Sequence, residues 1–126
     1  MRLLKPVAID RSKPRVAARS LMVQGEAMLK EGNSIIIFPE GSRSEPGVIG
    51  RFSRGGTALA AAAKAPIIPI VHNSGYAWPS HRFIKFPGVV SIKVGDPISV
   101  TDRSVKNLTD EVEQWVRAHF QVIDSR

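Results

Sequence analysis

Cysteine is absent from the 126 residues. That excludes disulfides, thiolate nucleophiles and thiolate-bound zinc, and it is compatible with a reducing compartment. Long apolar runs are absent as well. No stretch approaches the roughly 18 residues that a membrane-spanning helix needs, and Met1-Arg2-Leu3-Leu4-Lys5-Pro6 has no signal-peptide core. Contact with a bilayer would therefore run through the protein surface or through a segment outside this chain. Acidic side chains are in the minority, 11 against 18 Lys and Arg, giving a formal charge of +7. Such an excess favours an anionic partner: nucleic acid, a phosphorylated small molecule or an acidic membrane surface. A basic surface that is merely solvated is the competing explanation. Nucleic acid is the weakest of the three, because the chain has no aromatic stacking platform or recognition-helix signature and its basic residues are dispersed. No Gly-Lys-Ser or Gly-Lys-Thr follows a strand, so a nucleotide-binding P-loop is excluded. Internal repeats, low-complexity segments and linkers are also missing.

What is present suits one domain with a moderate core, since 43% of the residues are hydrophobic. After an apolar stretch from Pro6 to Ile9, Ser12 offers a helix cap and Pro14 a first-turn residue. Ala18, Leu21, Met22, Gly25, Met28 and Leu29 recur at spacings of three and four and predict one helical face, which Gly32 ends. Residues 34–38 read as an apolar strand of the kind covered on both faces in a parallel sheet. Residues 57–65 are Ala-rich and helical, closed by Pro66. A second strand covers 67–71, where Pro69 argues against full ladder pairing. A third covers 89–94, with Val90, Ile92 and Val94 facing one way. Leu108, Val112, Trp115, Val116 and His119 mark an amphipathic C-terminal helix. Helices alternating with apolar strands predict an α/β fold, a layered sheet with flanking helices.

The segment Phe38-Pro39-Glu40-Gly41-Ser42-Arg43-Ser44 is the strongest candidate for a site. An acid, a base and hydroxyls sit on a turn that Pro39 and Gly41 force, at the end of a β-branched run. The arginine is a fork for phosphate and the glutamate an acceptor for hydroxyls. Arg51 and Arg54 flank Phe52-Ser53, and Gly55-Gly56 opens a helix whose free amides suit an anion. A salt-bridged surface turn is the plainer reading of the same residues.

Neighbouring motifs favour the site. Phe-Pro-Glu-Gly-Ser-Arg-Ser resembles the third sequence block of the glycerolipid acyltransferases, which include the 1-acyl-sn-glycerol-3-phosphate acyltransferases; Ser42 stands where the block usually has Thr. Val7-Ala8-Ile9-Asp10-Arg11 is similar to the second block. Ala65-Pro66-Ile67-Ile68-Pro69-Ile70-Val71 is similar to the fourth. Arg51-Phe52-Ser53-Arg54-Gly55-Gly56 is similar to the basic stretch after the third. The resemblance implies a glycerol-3-phosphate acyltransferase-like fold and transfer of a fatty acyl group to the free hydroxyl of lysophosphatidic acid, giving phosphatidic acid. Acyl-CoA or acyl-carrier protein would be the donor and co-substrate, with no cofactor and no metal. By match to the motifs, Arg11, Glu40 and Arg43 would bind the glycerol-phosphate acceptor, Gly41 and Ser42 would shape the loop, and Arg51 and Arg54 would be secondary candidates.

The family's first block, His-x-x-x-x-Asp, supplies its general base and lies N-terminal to the second block. Only nine residues precede Asp10 here, and none is His. The resemblance therefore implies an acyltransferase domain that is incomplete at its N-terminus, with no catalytic residue assigned in this chain. Alternatives are a degenerate paralogue and a non-catalytic module for anionic lipid. His119-Phe120-Gln121-Val122-Ile123-Asp124 fits the pattern by letter but sits at the wrong end, on the C-terminal helix, and reads as an ordinary helix residue. His72, after the fourth block, reads as packing before it reads as a site residue. Trp78, Phe83 and Phe86, interleaved with His81, Arg82 and Lys85, suggest a loop at an anionic membrane interface; a loop folded over the sheet edge explains them equally. The expected location is the cytoplasmic face of a membrane, peripheral or anchored by an upstream segment.

Overall fold

The computed structural model describes residues 12–124. Pro14–Lys30 forms α1, with Pro14 in the first turn, where its missing N–H costs nothing. The residue at the cap position is Lys13, with no side-chain cap bond; the expected cap, Ser12, lies one residue earlier. Gly55–Ala62 forms α2 and Val105–Asp124 forms α3. Between them, β1 (Ile70–His72) and β2 (Ile92–Val94) make a two-stranded antiparallel sheet, with Ile70 opposite Val94 and His72 opposite Ile92.

α2 lies between the other two helices. Its Leu59 is only 1% exposed and packs on α1 where Gly25 has no side chain; a Cβ there would stand 2.5 Å from a Leu59 methyl. Leu108, fully buried, comes from α3. The second part of the core joins Phe52, Val71, Val112 and Val116, with Ile49, Ile67, Ile98, Trp115, Phe120 and Ile123 around it. Thus α3 packs on α2, on one face of the sheet through Val71, and on the loop that carries Phe52.

The structure corrects the sequence reading in several places. Among the described residues, 34–38 form no strand, and Ile36 and Phe38 are 78% and 74% exposed. An apolar β-branched run needs a neighbouring ladder before it becomes a strand, and composition does not supply the neighbour. Ile37 leans on the start of α2, close to Gly56, and Ile35 is half-buried. The sheet is small and antiparallel instead of a broad parallel layer. Pro69 divides the second predicted strand: Ile67 bridges Ile98, the Pro69 carbonyl accepts from Gly95, and pairing resumes at Ile70. The third predicted strand shrinks to 92–94. Val90, Ile92 and Val94 are exposed, not covered. α2 starts two residues earlier than expected and ends at Ala62, and on α1 it is Ala17, not Ala18, that is buried.

Candidate functional site

Residues 39–53 form an Ω-like loop between the exposed apolar run and α2. Its two ends meet where the Ser53 amide donates to the Pro39 carbonyl at 2.9 Å. Inside the loop, Oε2 of Glu40 accepts from the Ser44 hydroxyl at 2.5 Å and from the Gly50 amide at 2.6 Å. One carboxylate oxygen therefore ties together three separated points of the loop. Gly41 follows in the left-handed region, φ +75°, with nothing within 4 Å of the place a Cβ would take. The turn sends Ser42 and Arg43 outward, and both are exposed.

Glu40 and Arg43 thus have opposite orientations. Glu40 is half-buried and turned into its own loop. The Arg43 guanidinium lies 6.0 Å from the ring centroid of Trp78, and Lys85 Nζ lies 4.2 Å from that ring. The indole is flanked by two cations, and this joins the loop after Phe38 to the aromatic loop 73–88. Among the described residues, no carboxylate is within ion-pair reach of Arg43, Arg51 or Arg54. Arg51 and Arg54 are exposed at the far end of the loop, with Phe52 buried between them; Arg54 occupies the cap position of α2. Arg11 lies outside the described residues.

The aromatic loop is rooted by Asn73, whose Oδ1 accepts from the Ser91 amide at 2.8 Å and whose Nδ2 donates to the Ile123 carbonyl at 3.3 Å. The Phe86 amide closes a tight excursion by donating to the Ala77 carbonyl at 2.8 Å. Phe83 is fully exposed and Ile84 and Trp78 are more than half exposed, so these side chains do not pack over the sheet edge. No helix of the described residues is long and apolar enough to cross a membrane.

Sequence reasoning missed the contribution of α3. Arg117 donates from Nη1 to the Ile49 carbonyl and from Nη2 to the Gly50 carbonyl, each at 3.2 Å. Glu113 holds that guanidinium through Oε1, at 3.0 Å from Nε and 2.8 Å from Nη2, and its Oε2 accepts the Phe52 amide at 3.3 Å. Their i, i+4 spacing is visible in the sequence but is indistinguishable there from a solvated helix pair. Phe52 was legible as the single large apolar residue among Arg51, Ser53 and Arg54, though not as a core anchor.

His119 takes its plainer role as a helix residue, whereas His72 is exposed and does not pack as expected. His119 is half-buried on α3, stacked on Trp115 with ring centroids 4.2 Å apart, and its Nδ1 is 2.8 Å from the Trp115 carbonyl oxygen. Its apparent partner Asp124 instead accepts the Tyr76 hydroxyl at 3.0 Å through Oδ2. His72 is exposed on β1 and its Nδ1 accepts from the Ser74 amide, with the Ser74 hydroxyl at 2.7 Å.

A glutamate-closed loop that turns outward an arginine with no carboxylate partner among the described residues has the chemistry to meet an anion. The family comes from comparison: the Acyltransferase profile matches residues 1–73, and the chain belongs to that family. It is 44% identical over 117 residues to the 1-acyl-sn-glycerol-3-phosphate acyltransferase of Pseudomonas aeruginosa, covering 90% of this chain and 46% of that protein. The enzyme of the same name from Cocos nucifera is 33% identical over 83% of this chain and 34% of its own length. Among solved structures, the 1-acyl-sn-glycerophosphate (LPA) acyltransferase PlsC from Thermotoga maritima superposes with a TM-score of 0.80 at 25% identity, over 89% of this chain and 50% of that one. The chain therefore spans half or less of the length of these relatives.

Proposed function

We propose that this chain carries the acceptor-binding part of a 1-acylglycerol-3-phosphate O-acyltransferase. The whole reaction moves a fatty acyl group from acyl-CoA or acyl-carrier protein to the free hydroxyl of lysophosphatidic acid and yields phosphatidic acid. The observation that carries this reading is Arg43: it projects, unpaired by any described carboxylate, from a loop closed by Glu40 within the family's own motif. A phosphate monoester carries about −1.5 to −2 charges near neutral pH, and a guanidinium fork matches its oxygens. Arg43 and Arg11 take the phosphate, Glu40 orients the glycerol backbone through its second oxygen, and Gly41 and Ser42 shape the turn between them. Arg51 and Arg54 add to the cationic rim.

Removal of the proton from the acceptor hydroxyl requires a base, and no residue of this chain is assigned that role. Acyl transfer is accordingly expected from this chain only together with a segment that carries His-x-x-x-x-Asp. The assay uses radiolabelled acyl-CoA and lysophosphatidic acid. It compares the chain alone with the chain joined to a segment that carries His-x-x-x-x-Asp. Turnover confined to the joined protein, and lost in Glu40→Ala and Arg43→Ala, is the expected result. Full turnover by the chain alone would show the base assignment to be wrong.

A second reading, anionic-lipid binding without catalysis, is favoured by the exposed Trp78 and Phe83 beside Arg82 and Lys85. No acidic residue lies between Glu45 and Asp96, whereas Arg51, Arg54, Lys64, Arg82, Lys85 and Lys93 do. An acidic bilayer would meet aromatic rings at headgroup depth and cations around them. Both readings place the loop at a membrane surface; they differ in whether turnover follows.

A further inference from the structure

We propose that Arg117, held by Glu113, is a positioning residue that sets the orientation of Glu40 through one peptide unit. The inference rests on the reading of Glu40 as part of the acceptor site. The peptide between Ile49 and Gly50 is the link. Its carbonyl, that of Ile49, accepts from Arg117 Nη1, and its N–H, that of Gly50, donates to Glu40 Oε2. No cis peptide is present among the described residues, so the two groups point in opposite directions. Fixing the carbonyl on the guanidinium therefore aims the N–H at Glu40. A cation on the carbonyl also polarises the peptide and strengthens its N–H as a donor.

The same guanidinium reaches the next carbonyl, that of Gly50, through Nη2, so the fork spans two consecutive peptides and fixes rotation between them. Glu113 keeps the fork flat against the loop through Nε and Nη2, while its other oxygen takes the Phe52 amide. Phe52 is anchored in the core beside Val112 and Val116 of α3. Residues 49, 50 and 52 are thus all referred to α3, which lies beyond the stretch matched by the family profile. With Oε2 of Glu40 engaged by Ser44 and Gly50, the carboxylate plane is fixed. Among the described residues Oε1 accepts no hydrogen bond and is the oxygen left to meet a substrate hydroxyl.

The test is amide hydrogen exchange by NMR on the wild-type chain and on Arg117→Ala, Arg117→Lys and Glu113→Gln, paired with titration by a soluble short-chain lysophosphatidate. Arg117→Ala should speed exchange of the Gly50 amide by about tenfold, the loss of one charge-assisted link. The Val48 amide, which donates to Glu45 within the same loop, should exchange as before. Lysophosphatidate binding should weaken by about tenfold. Arg117→Lys, which keeps the charge but not the fork, should fall between. Glu113→Gln, which keeps an acceptor for Phe52, should give a smaller change of the same sign. Unchanged Gly50 exchange in Arg117→Ala overturns the inference, as does equal loosening at Gly50 and Val48. If Gly50 responds as expected but the wild type binds no lysophosphatidate, the positioning of Glu40 stands and the acceptor reading alone falls.

Discussion

At the scale of single residues, the loop after Phe38 separates two jobs that the sequence places three positions apart. Glu40 closes the loop and Arg43 faces solvent, and Gly41 makes that reversal possible. Because nothing surrounds the site of a Cβ at Gly41, substitution there costs backbone strain alone. Gly41→Ala should destabilise the fold by about 1–2 kcal/mol, the penalty for an L-residue in the left-handed region, measured as a lower midpoint in urea. Arg43→Ala should lower that midpoint only slightly, since the side chain is exposed, pairs with no described carboxylate and gives up only its approach to Trp78. Its effect should fall on binding: about tenfold to a hundredfold weaker short-chain lysophosphatidate by titration calorimetry, from about 1.5–3 kcal/mol for hydrogen bonds to charged groups. Arg43→Lys should recover only part, because the ammonium lacks the fork. Equal affinity in wild type and Arg43→Ala would remove Arg43 from the site.

At the scale of elements, two helices end in the same way on different residues. α1 closes with the Gly32 amide on the Leu29 carbonyl and the Asn33 amide on Met28, with Gly32 at φ +82°. α2 closes with the Lys64 amide on Ala61 and the Ala65 amide on Ala60, with Lys64 at φ +53°. Both are Schellman ends, and only the first has the residue that adopts this conformation without a Cβ penalty. Lys64→Gly should therefore raise stability by about 1 kcal/mol, read as a higher urea midpoint; a lower midpoint would mean that the Lys64 side chain makes a larger contribution of its own. The opposite exchange at Gly25→Ala should lower stability by about 1–3 kcal/mol through overpacking against Leu59.

These elements also show what was legible in the sequence. Helices carry their signal locally, as a 3.6-residue stripe to which α1 adds a Pro start and a Gly end, so α1 and α3 were read to within a few residues. The third motif block was read directly, because its chemistry lies in consecutive residues. Strands were not, because pairing is a property of two segments: residues 34–38 and 89–91 have strand composition without a ladder, and Pro69 cuts a third in two. Least legible was the Arg117 fork, which joins residues 67 and 68 positions apart through backbone carbonyls that have no sequence signature.

At the scale of the whole molecule, apolar surface is unevenly distributed. One face of the sheet packs on α3 through Val71. The other carries Ile70 and His72 of β1 beside Val94 and Ile92 of β2, and all four are exposed. Ile36 and Phe38 are further exposed apolar side chains on the run ahead of the site loop. Burying a large aliphatic or aromatic side chain contributes about 1.5–3 kcal/mol. Several left uncovered therefore amount to a substantial part of a domain stability of about 5–15 kcal/mol. Such a face, with two unpaired strand edges among the described residues, is a surface for association. The chain alone is expected to self-associate as concentration rises, with a broad thermal transition. Ile92→Thr with Val94→Thr keeps two β-branched side chains while removing apolar area from that face. The double variant should shift sedimentation velocity toward monomer and leave the helical circular dichroism unchanged. Because Phe52, Val112 and Val116 lie on the other side of the sheet, the Gly50 amide should keep its protection in this variant. A wild-type chain that sediments as a monomer at all concentrations, with a single sharp transition at high temperature, would show that the exposed face is tolerated in water and needs no cover.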